Sequence, residues 1–307
     1  MMEPQITCVL GAGALGLLYA TRLARTGRPM TLLVKPKQAS ALGLGVTLRE
    51  GEAALSKRVF MRVISQPHEG LSIQHLILTT KAGQAVEALK EWCAYLQDDA
   101  QVLMLQNGLG SQAQVADLLK PTQTLLAASV TEGAYLESSA AVVHAGKGKT
   151  LLGRWSGADQ QAAASWVNRL TVAGLDAEVA EPIRPVLWHK LAVNAVINPL
   201  TAVHRVQNGA LAGRDFKPLV DALCQEILQV FKRLGISEPE GGLAYRIEQV
   251  ILATAANRSS MLQDVEAGRA TEIDYITGTL LKAARSLKLE LVEHQRLYDL
   301  IKQGEPQ

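Results

Sequence analysis

Lys190, Asn194 and Asn198 recur at a spacing of four inside the otherwise apolar run Trp188-His189-Lys190-Leu191-Ala192-Val193-Asn194-Ala195-Val196-Ile197-Asn198-Pro199. Side chains four apart on a helix stand one above another, so a cation and two amides share one face. Placing such groups in an apolar environment is costly unless they are paired, and a polar stripe of this kind lines a cleft. Partial burial lowers a lysine's pKa toward neutrality, which suits Lys190 to general-acid work. Two plainer readings stand beside this one. Lys190 could extend its ammonium to solvent, and Asn198 could cap a second helix starting at Pro199. His189 points to another face and reads as structural.

A second group with chemical potential is Gly11-Ala12-Gly13-Ala14-Leu15-Gly16, directly after the apolar run Ile6–Leu10. The first glycine permits a tight turn, the second lets the backbone approach a pyrophosphate, and the third allows close packing of helix on strand. The free N–H groups of the helix that follows then face phosphate oxygens. A dinucleotide is the expected ligand, against the plainer reading of a tight turn alone. NAD sites carry an acidic residue about 20 residues past such a loop. Here the corresponding stretch is Val34-Lys35-Pro36-Lys37, with no carboxylate until Glu50. Lys35 suits a 2′-phosphate and favours NADPH (NADP+), unless it is merely a solvated lysine at a strand end.

Both groups need elements to position them. Ile6–Leu10, Met30–Val34, Leu76–Thr80, Val102–Leu105 and Leu125–Val130 have the length and apolarity of buried strands. Leu15–Thr26, Ala85–Leu96 and Gln112–Leu119 read as helices between them. That alternation predicts a parallel sheet with helices on both faces. Ala141–Gly153, with Gly146-Lys147-Gly148 at its turn, reads as a hairpin added to the sheet. Pro182-Ile183-Arg184-Pro185 marks a boundary, with Pro185 suited to a first helical turn. Beyond it the pattern is helical over Val186–Val203, Lys217–Leu234, about Leu243–Asn257, Ser260–Leu287 and Val292–Gln303. The expected organisation is residues 1–182 as an α/β nucleotide-binding domain and 183–307 as an all-α domain.

Bulk properties exclude other classes. Of 307 residues, 48% are hydrophobic and 20% charged, which is globular and long enough for two domains. A net charge of +2 argues against nucleic acid or an anionic membrane as partner. Met1-Met2-Glu3-Pro4 lacks the basic start of a secretory signal, and no apolar stretch approaches the roughly 20 residues that cross a bilayer. Cys8, Cys93 and Cys224 lie far apart, giving neither a disulfide framework nor a metal site. A reduced, cytoplasmic setting follows. The apolar surface of the helical half would serve a homodimer or its own core equally.

The chain resembles the ketopantoate reductase (2-dehydropantoate 2-reductase) family over nearly its whole length. The resemblance rests on GAGALG, TTKAGQ around Lys81, QNGLG around Asn107, WHKLAVNAVINPLTA around Lys190, NRSSMLQD around Ser260 and TEIDYITG around Glu272. It implies a Rossmann domain followed by a helical domain like that of 6-phosphogluconate dehydrogenase. It also implies reduction of the 2-dehydropantoate ketone by NADPH, for pantothenate and coenzyme A synthesis, in a cleft between the domains. By the same resemblance, Lys190 donates the proton to the carbonyl oxygen and Glu272 hydrogen-bonds and positions the substrate. Ser260, Asn194 and Asn198 hold the keto acid's polar groups. Lys81 and Asn107 sit near nicotinamide and substrate, and Asn208 is a further polar position of the pocket. Lys35 departs from the arginine that a member of the family carries, and lacks the planar fork that grips a phosphate bidentately.

Read without the resemblance, these residues have simpler roles. Ser260 could only cap a helix, Glu272 could be a surface acid, and Lys81 and Asn107 could be turn residues after strands. Two functional rivals follow: a paralogue reducing another 2-keto acid, and a non-catalytic NADPH-binding sensor. Lys190 and Glu272 argue against the sensor, which needs no proton donor.

Overall fold

A computed structural model of the chain describes residues 6–51 and 56–305. It divides into two compact units. The first runs to Gln106 and resumes from Ser111 to Val186, and the second takes Asn107–Gly110 and the chain from Leu187 onward.

The first unit contains strands β1 (Thr7–Leu10), β2 (Met30–Leu33), β3 (Val46–Glu50), β4 (Lys57–Val59), β5 (Arg62–Ile64), β6 (Ile73–Leu78), β7 (Leu96–Met104), β8 (Thr124–Val130), β9 (Gly133–Ser138), β10 (Ala141–Gly146), β11 (Thr150–Ser156) and β12 (Ala177–Val179). Its helices are α1 (Ala14–Ala24), α2 (Pro36–Gly43), α3 (Ala85–Lys90), α4 (Ser111–Ala116) and α5 (Ala162–Val172). Eight strands form one sheet in the order β12-β11-β8-β7-β6-β1-β2-β5. All neighbours from β8 to β5 are parallel, and β11 then runs antiparallel to β8. Val9 aligns with Ile77, Ile77 with Leu103 and Leu103 with Leu126, all within one core. Their chain neighbours Cys8, Leu76, Val102 and Leu125 lie in the core on the opposite face. Burial on both faces is why these strands read as continuous apolar runs without alternation.

A second, four-stranded sheet in the order β4-β3-β10-β9 packs on α1. Residues Gly16–Leu23 of α1 are consequently all buried. A helix apolar on every side has to be covered on every side, and the second sheet supplies the cover. Arg22 of α1 reaches into that sheet: its guanidinium lies 2.9 Å from His144 Nδ1, and His144 Nε2 lies 2.7 Å from Glu132. Arginine can only donate, so Nδ1 accepts and Nε2–H donates to the carboxylate.

Several expected elements fall differently. No hairpin spans Ala141–Gly153, because β10 pairs with β9 and β3 in the small sheet while β11 pairs with β8 in the large one. The segment Ala85–Leu96 is not one helix: α3 ends at Lys90, a short turn covers Cys93–Tyr95, and Leu96 opens β7. Polar Gln97-Asp98-Asp99 masked the first half of that strand, whose exposed Asp98 pairs with Lys120 at 2.7 Å. The expected strand Leu76–Thr80 begins three residues earlier and ends two earlier, as β6.

The second unit comprises α6 (Ile183–His204), which begins in the first, then α7 (Lys217–Leu234), α8 (Leu243–Ala253), α9 (Ser260–Glu266), α10 (Thr277–Ser286) and α11 (Val292–Gly304). The α6 helix continues through Pro199, so Asn198 does not cap a new helix there. The expected helix Ser260–Leu287 is broken into α9, a short turn at Ile273–Tyr275, and α10. Gly268 follows α9 at φ +61, a conformation that ends a helix and that glycine adopts without strain. The break matters because it places Glu272 just ahead of the short turn instead of on a helix face.

Candidate active site

The glycine loop in the first unit joins β1 to α1. Gly11 has φ +116, and a Cβ there would come within 2.8 Å of Thr79 Oγ1. A Cβ on Gly16 would overlap the Gly11 carbonyl, so the loop's closing glycine is required by contact with its opening one. Gly13 differs. Nothing lies within 4 Å of where its Cβ would be, and it is exposed as the N-cap of α1 with no side chain capping that helix. Open space above unsatisfied first-turn N–H groups is the geometry a pyrophosphate needs, so the loop fits a dinucleotide.

Thr79, which the sequence did not single out, holds this loop in place. Its hydroxyl lies 3.1 Å from the carbonyls of both Leu10 and Gly11. Lys35 follows β2, exposed, with Pro36 opening α2 behind it. An exposed cation there can meet a 2′-phosphate without first losing a partner in the fold's core. Lys81, half-buried, follows β6 at the same carboxyl edge of the sheet, where ligands of open parallel sheets bind.

In the second unit three predicted residues come together. Lys190, on α6, is half-buried, and dense packing pulls its ammonium pKa down to about 8 while the Glu272 carboxylate resists the fall. Asn107 Nδ2 donates to Glu272 Oε2 at 3.4 Å. Residues Asn107–Gly110 are mounted for this contact: Leu109 N donates to the Tyr275 carbonyl at 2.8 Å, and Thr279 Oγ1 donates to the Leu109 carbonyl at 2.7 Å. Gly108 lies so close to the Tyr275 carbonyl, at φ +81, that a side chain is excluded. A lysine poised near neutrality beside a carboxylate can hold or release a proton.

Asn194 is half-buried and Asn198 buried, on the helix face that carries Lys190. Ser260 is exposed and does not cap α9; the cap is Ser259, whose hydroxyl accepts from Leu262 N at 3.1 Å. Ser259 is buried because its oxygen lies 2.7 Å from Thr201 Oγ1 on α6, and that contact selects which of two adjacent serines turns inward. Asn208 is buried and donates from Nδ2 to Thr254 Oγ1 at 2.9 Å. His189 hydrogen-bonds the Ser237 carbonyl at 2.7 Å and packs on Phe231, as a structural residue would. Thr201, Ser259 and Thr254 escaped the sequence reading because a hydroxyl in a helical run carries no periodic signal.

Fold and site define a class: dinucleotide-binding oxidoreductases with a helical second unit. Residues 7–157 match the model of the ketopantoate reductase PanE/ApbA family, and residues 182–305 match that of its C-terminal part. The chain belongs to this family. It is 33% identical over 299 residues to the 2-dehydropantoate 2-reductase of Salmonella typhi, covering 97% of this chain and 94% of that one. Its identity to the enzyme of the same name from Archaeoglobus fulgidus is 32% over 302 residues, 98% of each chain. Among solved structures, the probable 2-dehydropantoate 2-reductase of Bacillus subtilis superposes with a TM-score of 0.80 at 28% identity, over 98% of this chain and 100% of the other. A D-mandelate dehydrogenase with NADH and anilino(oxo)acetate reaches a TM-score of 0.90 at 20% identity, over 97% of this chain and 98% of that one, and shares the fold alone.

Proposed function

We propose that this protein reduces 2-dehydropantoate to pantoate with NADPH, in the cytoplasmic synthesis of pantothenate and coenzyme A. The observation that carries the reading is the grouping of Lys190, Glu272 and Asn107 in a chain 33% identical, over 97% of its length, to an enzyme named for that reaction. NADPH, when bound, supplies the hydride that adds to C2 of the keto acid. The Gly11–Gly16 loop would hold its pyrophosphate, Lys35 its 2′-phosphate, and Lys81, Asn107 and Glu272 would face its nicotinamide end.

The protonated Lys190 amine donates to the carbonyl oxygen, which becomes the C2 hydroxyl. The lysine is left neutral and regains its proton from solvent. Glu272 serves two ends: its charge keeps Lys190 from losing its proton too early, and its carboxylate orients the substrate. Asn194, Asn198, Asn208 and Ser260 hold the substrate's carboxylate and oxygen atoms. Catalysis then comes from positioning and proton donation.

Following NADPH absorbance against a panel of 2-keto acids tests the reading. 2-Dehydropantoate should be the best substrate; a better one would make this chain a paralogue with another preference, and none at all would make it a sensor. Lys190→Ala should lower kcat by about 10²–10⁴-fold, the usual range for a general acid, with NADPH affinity by fluorescence titration nearly intact. Equal turnover in mutant and wild type removes Lys190 from the mechanism.

A further inference from the structure

The Asn208 side chain has a definite polarity, and Thr254 sets it. The Thr254 hydroxyl has a single proton, donated to the Val250 carbonyl one turn earlier at 2.6 Å. What Thr254 Oγ1 offers Asn208 across their 2.9 Å contact is therefore a lone pair, which only Nδ2 can use. Asn208 Oδ1 is left as a buried acceptor without a hydrogen-bond partner. The backbone beneath is equally constrained. Asn208 N donates to the Asn257 carbonyl and Gly209 N to the Ala255 carbonyl, both at 3.0 Å. A Cβ on Gly209 would come within 2.8 Å of Ala255 Cβ, so the two segments can approach this closely only with glycine there.

A buried acceptor left open in a folded protein calls for a donor from a ligand or from water. We infer that Thr254 is a positioning residue that fixes Asn208 as a hydrogen-bond acceptor, so that the site prefers a 2-keto acid bearing a hydroxyl over the same skeleton without one. The inference rests on the reading of this site as one for 2-keto acids in which Asn208 meets the substrate. 2-Dehydropantoate carries such a donor, the hydroxyl on C4. Its deoxy counterpart, 3,3-dimethyl-2-oxobutanoate, leaves Asn208 Oδ1 unpaired, and sites built to bond a hydroxyl discriminate strongly against analogues that lack it. The preference resides in the orientation of one amide, which Thr254 holds.

The test compares kcat/KM for 2-dehydropantoate, the deoxy acid and the 4-fluoro analogue in wild type, Thr254→Val and Thr254→Ser. Fluorine approximates the hydroxyl in size but donates nothing, so the fluoro acid should show the high KM of the deoxy acid in wild type. Thr254→Val should lower the selectivity for hydroxyl over deoxy substrate by about tenfold, mainly through KM of the hydroxylated acid, as expected when one hydrogen-bonded clamp is lost. Thr254→Ser keeps the hydroxyl and should stay within about twofold of wild type. A selectivity unmoved by valine, a serine variant as impaired as the valine one, or a fluoro acid bound like 2-dehydropantoate each overturns the inference and leaves the reductase reading standing. The fluoro comparison needs no mutant, and a fluoro acid bound like 2-dehydropantoate overturns the inference even if the valine variant fails to fold. Wild type that reduces none of the three acids overturns both.

Discussion

An ammonium with a pKa of about 8 is still mostly protonated at pH 7, yet gives up its proton far more readily than an ordinary lysine near 10.5. In the proposed mechanism Lys190 donates in its protonated form. The rate of keto-acid reduction should therefore be flat below about pH 8 and fall tenfold per pH unit above it. Burial lowers this pKa and Glu272 opposes the shift, so Glu272→Gln should move the falling limb to lower pH. A kcat/KM profile measured on both proteins checks the sign; a limb that stays put, or moves upward, removes the coupling between the two residues. Lys190 and its amide stripe were legible because their spacing is a property of one helix. The partnership with Glu272 was not, since 82 positions of chain separate the two residues.

Among elements, the glycine loop separates folding from binding. Gly16 has no room for a side chain, because its Cβ would overlap the Gly11 carbonyl, whereas Gly13 faces open space. Gly16→Ala should thus lower the thermal midpoint, at a cost of about 1–3 kcal/mol for an overpacked position. Gly13→Ala should leave the midpoint of the free protein nearly unchanged and weaken NADPH binding, as fluorescence titration would show. If Gly16→Ala melts like wild type, the close contact with Gly11 does not limit that position; if Gly13→Ala binds NADPH normally, the loop does not hold the pyrophosphate as proposed. The strand-loop-helix order was readable in β1, the loop and α1, each contiguous in the chain. What covers α1 was not: β3 and β10 are parallel neighbours nearly a hundred residues apart, and no local pattern announces such a pairing. The same non-local choice sent β10 and β11 to different sheets where a simple hairpin was expected.

For the whole molecule, ligand binding and stability are linked, because a ligand that binds only the folded chain raises its melting point. At a hundred times its Kd, NADPH should stabilise by about 2.7 kcal/mol. NADH at equal concentration should stabilise less, and Lys35→Ala should narrow the gap by weakening NADPH alone. A thermal shift series with both dinucleotides checks this, and equal losses for the two would take the 2′-phosphate away from Lys35. The net charge of +2 supplies no strong general field to attract a phosphate, so the proposed preference would fall to a local cation.

By itself the sequence determined the parallel strands, the glycine loop, the lysine–asparagine stripe and the change from α/β to helical structure near residue 182. Each is written in neighbouring residues whose periodicity or backbone freedom acts locally. Only the tertiary structure decided the rest. Thr201 chose Ser259 over Ser260 as the buried cap, Tyr275 and Thr279 drew Asn107–Gly110 into the second unit, and Thr254 gave the Asn208 amide its direction. Each of these rests on one or two hydrogen bonds between segments distant in the chain, whose geometry exists only once both are packed.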